Sequence, residues 1–76
     1  MLNSKQCRAA RAWLGWSQDQ LADASCVSKR AIAGFELGRT VPQDRTLRDL
    51  RNAFEAAGIE FLSEGAFGVG IRQRME

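Results

Sequence analysis

Two helix starts stand eleven residues apart in SQDQLADASCVSKRAIAGFELG, residues 17 to 38, and that spacing constrains the chain more than anything else in it. Ser17 with Gln20 has the spacing of a capping box, in which the serine oxygen accepts a first-turn amide and the glutamine reaches back to the cap amide. Ser28 is a second N-cap residue, and behind it Val27, Ala31 and Phe35 lie four apart, with Ile32 three before Phe35, so one face of a helix from Lys29 to Glu36 is a core face. The helix begun at Ser17 must end near Ala24, before the second start. Ser25, Cys26 and Val27 are left to turn the chain.

The rest of the chain is punctuated in the same way. Asn3 with Gln6, followed by Cys7, Ala10 and Leu14, predicts a helix over about residues 4 to 14, stopped by Gly15. Gly38 stops the helix that starts at Ser28, residues 39 to 42 connect, and Leu47, Leu50 and Phe54 mark the inward face of a fourth helix from about Asp44 to Ala57, with Gly58 beyond it. The period then changes to two. IEFLS (59–63) and VGIRQ (69–73) read as the strands of a hairpin around EGAFG. The predicted fold is mainly α: a compact four-helix domain over residues 1–58, with a C-terminal β-hairpin over 59–76 belonging to the same domain. Its predicted core is Leu14, Leu21, Ile32, Phe35, Leu50 and Phe54. Trp13 and Trp16, at the end of the first helix and in the turn after it, are expected to pack over this core.

A chain of 76 residues supports one core, and 45% apolar with 26% charged residues is ordinary globular composition. Cys7 and Cys26 are too few for a disulfide scaffold, and with no histidine and no CxxC pair they make no metal-ligand pattern, so neither metal nor cofactor is expected. Cys7 reads as a small buried apolar residue. No nucleophile with a neighbouring base and no glycine-rich phosphate loop is present, which argues against an enzyme. No apolar run reaches the roughly 18 residues that span a bilayer, and the start of the chain lacks the apolar core of a secretory signal; the expectation is a cytoplasmic protein without membrane contact. The net charge of +2 comes wholly from residues 1–38, while residues 39–76 balance, a distribution compatible with a nucleic-acid partner.

Two short helices joined by a three-residue turn form the helix-turn-helix geometry, in which the second helix enters the DNA major groove and the first braces it. On the second helix Lys29, Arg30, Ala33, Gly34 and Leu37 face away from the core. The two cations are donors for guanine edges or phosphates, and the small pair Ala33 and Gly34 allows close approach to the bases.

Arg11, Leu14, Gly15, Ser17, Gln18, Leu21, Ala22, Val27, Ser28, Ile32, Phe35, Glu36, Gly38 and Pro42 together resemble the xenobiotic-response-element (Cro and phage-repressor type) helix-turn-helix family over about the first two-thirds of the chain. The resemblance implies a double-stranded DNA partner, a transcriptional regulator and a homodimer on a palindromic operator. It implies a phosphate clamp at Gln18, base reading from Ser28, Lys29 and Arg30, backbone contacts from Arg39 and Thr40, and an ion pair between Arg11 and Glu36. Cys26 departs from the pattern, which has glycine there because the backbone tends to positive φ. The hairpin also departs, standing where the phage repressors have a fifth helix. Ile59, Phe61, Val69 and Ile71 need a surface to cover them, and a second copy of the chain is the expected one. An interaction module of the same fold, an antitoxin or antiactivator with a protein partner, is the alternative. Operator, regulated genes and the sign of control are not written in these residues.

Overall fold

The computed structural model describes residues 2–62 and 70–73. Four helices come first: α1 (Ser4–Leu14), α2 (Gln18–Ser25), α3 (Lys29–Glu36) and α4 (Asp44–Ala56). Two strands, β1 (Ile59–Leu62) and β2 (Gly70–Gln73), follow and pair antiparallel, with Phe61 opposite Ile71 and Ile59 opposite Gln73. The fold is mainly α.

Local chemistry sets these boundaries. Asn3 and Gln6 close a reciprocal capping box on α1, and Ser17 and Gln20 close another on α2, so at each start two backbone amides that no helical carbonyl serves find side-chain oxygens. Ser28 accepts the Ala31 amide at 3.1 Å to start α3. Gly15 leaves α1 in the left-handed region at φ 69°, and Gly58, at φ 97°, turns the chain from α4 into β1. α2 runs one residue past the sequence expectation because Ser25 serves both sides of its end: Oγ donates to the Leu21 carbonyl at 2.7 Å and accepts the Val27 amide at 3.2 Å. α4 stops at Ala56, one residue short of it.

Cys7, Ala10, Leu21, Ile32, Leu50, Phe54 and Ile59 are fully buried at the centre. Each large apolar side chain among them contributes about 1.5–3 kcal/mol by leaving water. Phe54 is the hub: Trp16 stacks on it at 6.0 Å between ring centroids, and Phe61 meets it edge-on at 5.9 Å. The Arg51 guanidinium lies 5.9 Å from the Phe61 ring centroid.

Three expectations need correction. Trp13 does not pack over the core; it is 60% exposed, because it lies roughly 120° round α1 from Cys7 while the turn at Gly15 carries Trp16 back onto Phe54. Leu14 is only partly buried, and Leu2, ahead of α1, is buried in the core. Ile59 is part of the protein's own core, fully buried, and is not available to cover a second copy. Val69, and the side chain of Ile71, lie outside what the structure describes.

Candidate nucleic-acid interface

The turn between α2 and α3 is tight. Cys26 holds φ 61° and ψ 23°, and its amide closes α2 on the Ala22 carbonyl at 2.9 Å. It is the non-glycine residue with positive φ among the described residues, a conformation in which the Cβ crowds the following carbonyl at a cost of about 1 kcal/mol. The turn is therefore in the usual place and Cys26 bears strain there, with an exposed thiol.

The inward side of α3 holds Ile32, Phe35 and Glu36, all buried. Glu36 is the unusual member, a carboxylate left only 4% exposed. Four donors meet it. Oε1 accepts Arg11 Nη2 and Gln18 Nε2, both at 2.9 Å, while Oε2 accepts Arg11 Nε at 2.9 Å and the Cys7 thiol at 3.2 Å. Arg11 also donates Nη1 to the Trp16 carbonyl at 2.9 Å, so one guanidinium ties α1, the following turn and α3 together. Burial pushes the Glu36 carboxyl up, but the hydrogen bonds from Arg11, Gln18 and Cys7 outweigh it and hold the group below the usual carboxylate range. Burial, then the bond to Glu36, pushes the Cys7 thiol far up, so it stays a protonated donor.

The outward side is open. Ser28, Lys29, Arg30 and Leu37 are exposed, and Ala33 and Gly34 half-buried. Beside them the loop after α3 is fastened to the helix by the Arg39 amide, which donates to the Gly34 carbonyl at 2.9 Å. A Cβ on Gly34 would come within 3.1 Å of Thr40 Oγ1. The missing side chain at residue 34 thus makes room for the loop, besides the close approach of DNA expected from its sequence. A groove results, with Arg30 and Ala33 on the helix, Leu37 at its C-cap, and Arg39 and Thr40 on the loop.

Of the residues expected to contact DNA, Ser28, Arg30, Ala33, Gly34, Arg39 and Thr40 all line this groove. Lys29 points back toward α2, its Nζ 3.3 Å from Asp19 in an exposed pair that contributes little to stability. Gln18 is not a free clamp: one amide hydrogen is held by Glu36, leaving its second amide hydrogen and the backbone amide at the start of α2. The sequence reading missed Cys7 as a polar partner, although Cys7 and Arg11 stand four apart on one helix and so share a face.

Among the described residues no helix is long and apolar enough to cross a membrane, and no cluster of side chains suits a metal ion. A family model described as helix-turn-helix matches residues 8–61, from α1 into β1. No curated protein matches the chain.

Proposed function

The chain belongs to the Cro and phage-repressor type of helix-turn-helix family, a DNA-binding regulatory family, and from that premise we propose a sequence-specific transcriptional regulator that reads a palindromic operator through the major groove. The observation that carries this is the outward side of α3: Lys29 and Arg30 at its first turn, exposed, beside a groove with Arg39 on its far wall. A helix about 10–12 Å across fits a major groove about 12 Å wide. Arg30 presents two parallel donors to guanine O6 and N7. Lys29 exchanges Asp19 for a phosphate or a base. The amides at the start of α2, with Gln18, meet a phosphate on one side of the groove, and Arg39 and Thr40 meet the backbone on the other, fixing register without reading sequence.

A palindrome calls for a twofold partner, with the two copies of α3 roughly 34 Å apart or a multiple of that distance. We place the dimer contact on the paired strands, around Phe61 and its register partner Ile71. Because Ile59 belongs to the core and Phe61, opposite Ile71, packs on Phe54, removing residues 59–76 would damage the fold as well as the contact; Ile71→Glu is the smaller change, read together with its urea midpoint. It should yield monomers in sedimentation at micromolar concentration and weaken operator binding. A dimer unchanged by that substitution would move the contact elsewhere, to α4 first. Such a regulator works in the cytoplasm beside its operator, repressing or activating according to where the site lies relative to a promoter.

Selection of bound duplexes from a random pool, at stated salt, tests the function. An enriched inverted repeat with half-sites one helical turn or a multiple apart is expected. Retention of DNA with no enriched sequence would reduce the protein to a non-specific binder, and no retention would favour a protein partner.

A further inference from the structure

Beyond Arg30, the outward face of α3 carries no hydrogen-bonding side chain. Counting three, four and seven residues on from Arg30, the same face continues with Ala33, Gly34 and Leu37. Gly34, half-buried beside Thr40, has no side chain to offer, so Ala33 and Leu37 supply the apolar surface. Leu37 is 65% exposed, and its backbone is tied to the end of the helix, its amide donating to the Ala33 carbonyl at 3.1 Å. A large apolar side chain left exposed there, in a groove walled by Arg30 and Arg39, faces an unusual mixture of surroundings. No acidic residue stands among the described residues lining the groove. Its charge suits a polyanion, while its surface between the cations suits a hydrocarbon group.

The major groove offers one such group in unmodified DNA, the 5-methyl of thymine. Resting on the reading of α3 as the DNA-reading helix, we propose that Leu37, with Ala33 beside it, is a specificity determinant that recognises a thymine 5-methyl group, while Arg30 reads by hydrogen bonding. Leu37 lies seven residues beyond Arg30, roughly 10 Å along the helix at 1.5 Å per residue. At about 3.4 Å per base pair, and with the helix inclined in the groove, that places the thymine within about three base pairs of the base that Arg30 reads. The half-site thus combines a hydrogen-bonded position with a methyl-read position, and the second is set by a residue that follows the helix proper.

The test uses the full chain and the duplex returned by selection. Each thymine is replaced in turn by deoxyuridine, which removes the methyl group and keeps every hydrogen-bonding atom. Affinity should fall about threefold to fivefold at one thymine in each half-site, the worth of one buried methyl-sized group, within about three base pairs of the position whose preference relaxes in Arg30→Ala. In Leu37→Ala, which changes an exposed side chain and should melt like the wild type, the ratio of thymine to deoxyuridine affinity at that position should fall toward one. Equal affinity for all the deoxyuridine duplexes, or an undiminished ratio in Leu37→Ala, overturns the proposal while leaving the DNA-reading function intact. A selection that returns no site removes both.

Discussion

The two sides of α3, eight residues long, are built on opposite rules. Inward, Glu36 meets four donors from three side chains, and Ile32 and Phe35 fill the core, so each group there is fixed by several others. Outward, Arg30 and Leu37 are exposed on a rigid support. The difference teaches where change is tolerated: the inner side sets whether the domain folds, and the outer side can be substituted at little cost to stability.

Glu36→Ala should have the largest effect. It leaves Nε and Nη2 of Arg11, the Cys7 thiol and one Gln18 amide hydrogen facing no acceptor, a loss of about 3 kcal/mol, at the low end for a broken buried pair because Arg11 is 23% exposed and keeps its bond to the Trp16 carbonyl. Urea unfolding checks it; an unchanged midpoint would mean that water replaces the carboxylate freely. The same contact makes a pH prediction. Since the folded Glu36 carboxyl is held below its ordinary value of about 4.3, its contribution is complete above that pH and is lost as pH falls through the depressed folded value. The stabilities of wild type and Glu36→Gln should therefore converge in acid and not in base.

Arg30→Ala inverts the pattern. Stability should stay within about 0.5 kcal/mol of wild type, as for surface changes generally, while binding to the selected operator weakens by about 1–3 kcal/mol and preference relaxes at one base pair. Equal losses on operator and random duplex would remove Arg30 from base reading. Gln18 sharpens the comparison because it is bonded to Glu36 and is proposed to meet a phosphate as well. Gln18→Ala should cost about 1 kcal/mol of stability and weaken all sequences alike. A change confined to one of the two measurements would assign it to that side alone.

The smallest effect belongs to the turn. Cys26→Gly relieves a strained left-handed residue of about 1 kcal/mol but frees the unfolded chain, so a net gain of about 0.5 kcal/mol in thermal or urea unfolding is expected. Cys26→Ala keeps the same φ and should give no gain. A loss of stability in Cys26→Gly would show that the thiol makes a contact the turn needs.

How much of this was legible in the sequence follows the range of the forces involved. Helix boundaries came within a residue, because Asn3 with Gln6, Ser17 with Gln20, and Ser28 act within one turn of chain. The exposed cations of α3 were legible for the same reason: periodicity separates its two sides. Contacts between distant elements were harder. Periodicity on α1 does not reveal that Trp13 faces water while Trp16 reaches Phe54, since that depends on the path after Gly15. Nor does a two-residue period in 59–61 say whether Ile59 is covered by its own core or by a second copy. Cys7 looked apolar because its polar partner, Glu36, lies 29 residues away.

The most direct measurement asks which groove of the operator α3 enters. Treating the selected duplex with a methylating agent modifies guanine N7 in the major groove and adenine N3 in the minor groove, and bound and free molecules can then be compared base by base. Bound wild-type protein should exclude duplexes methylated at a guanine N7 in each half-site, and Arg30→Ala should lose that exclusion at the guanine it reads. Interference confined to adenine N3, or guanine interference identical in wild type and Arg30→Ala, would contradict major-groove reading by the outward side of α3.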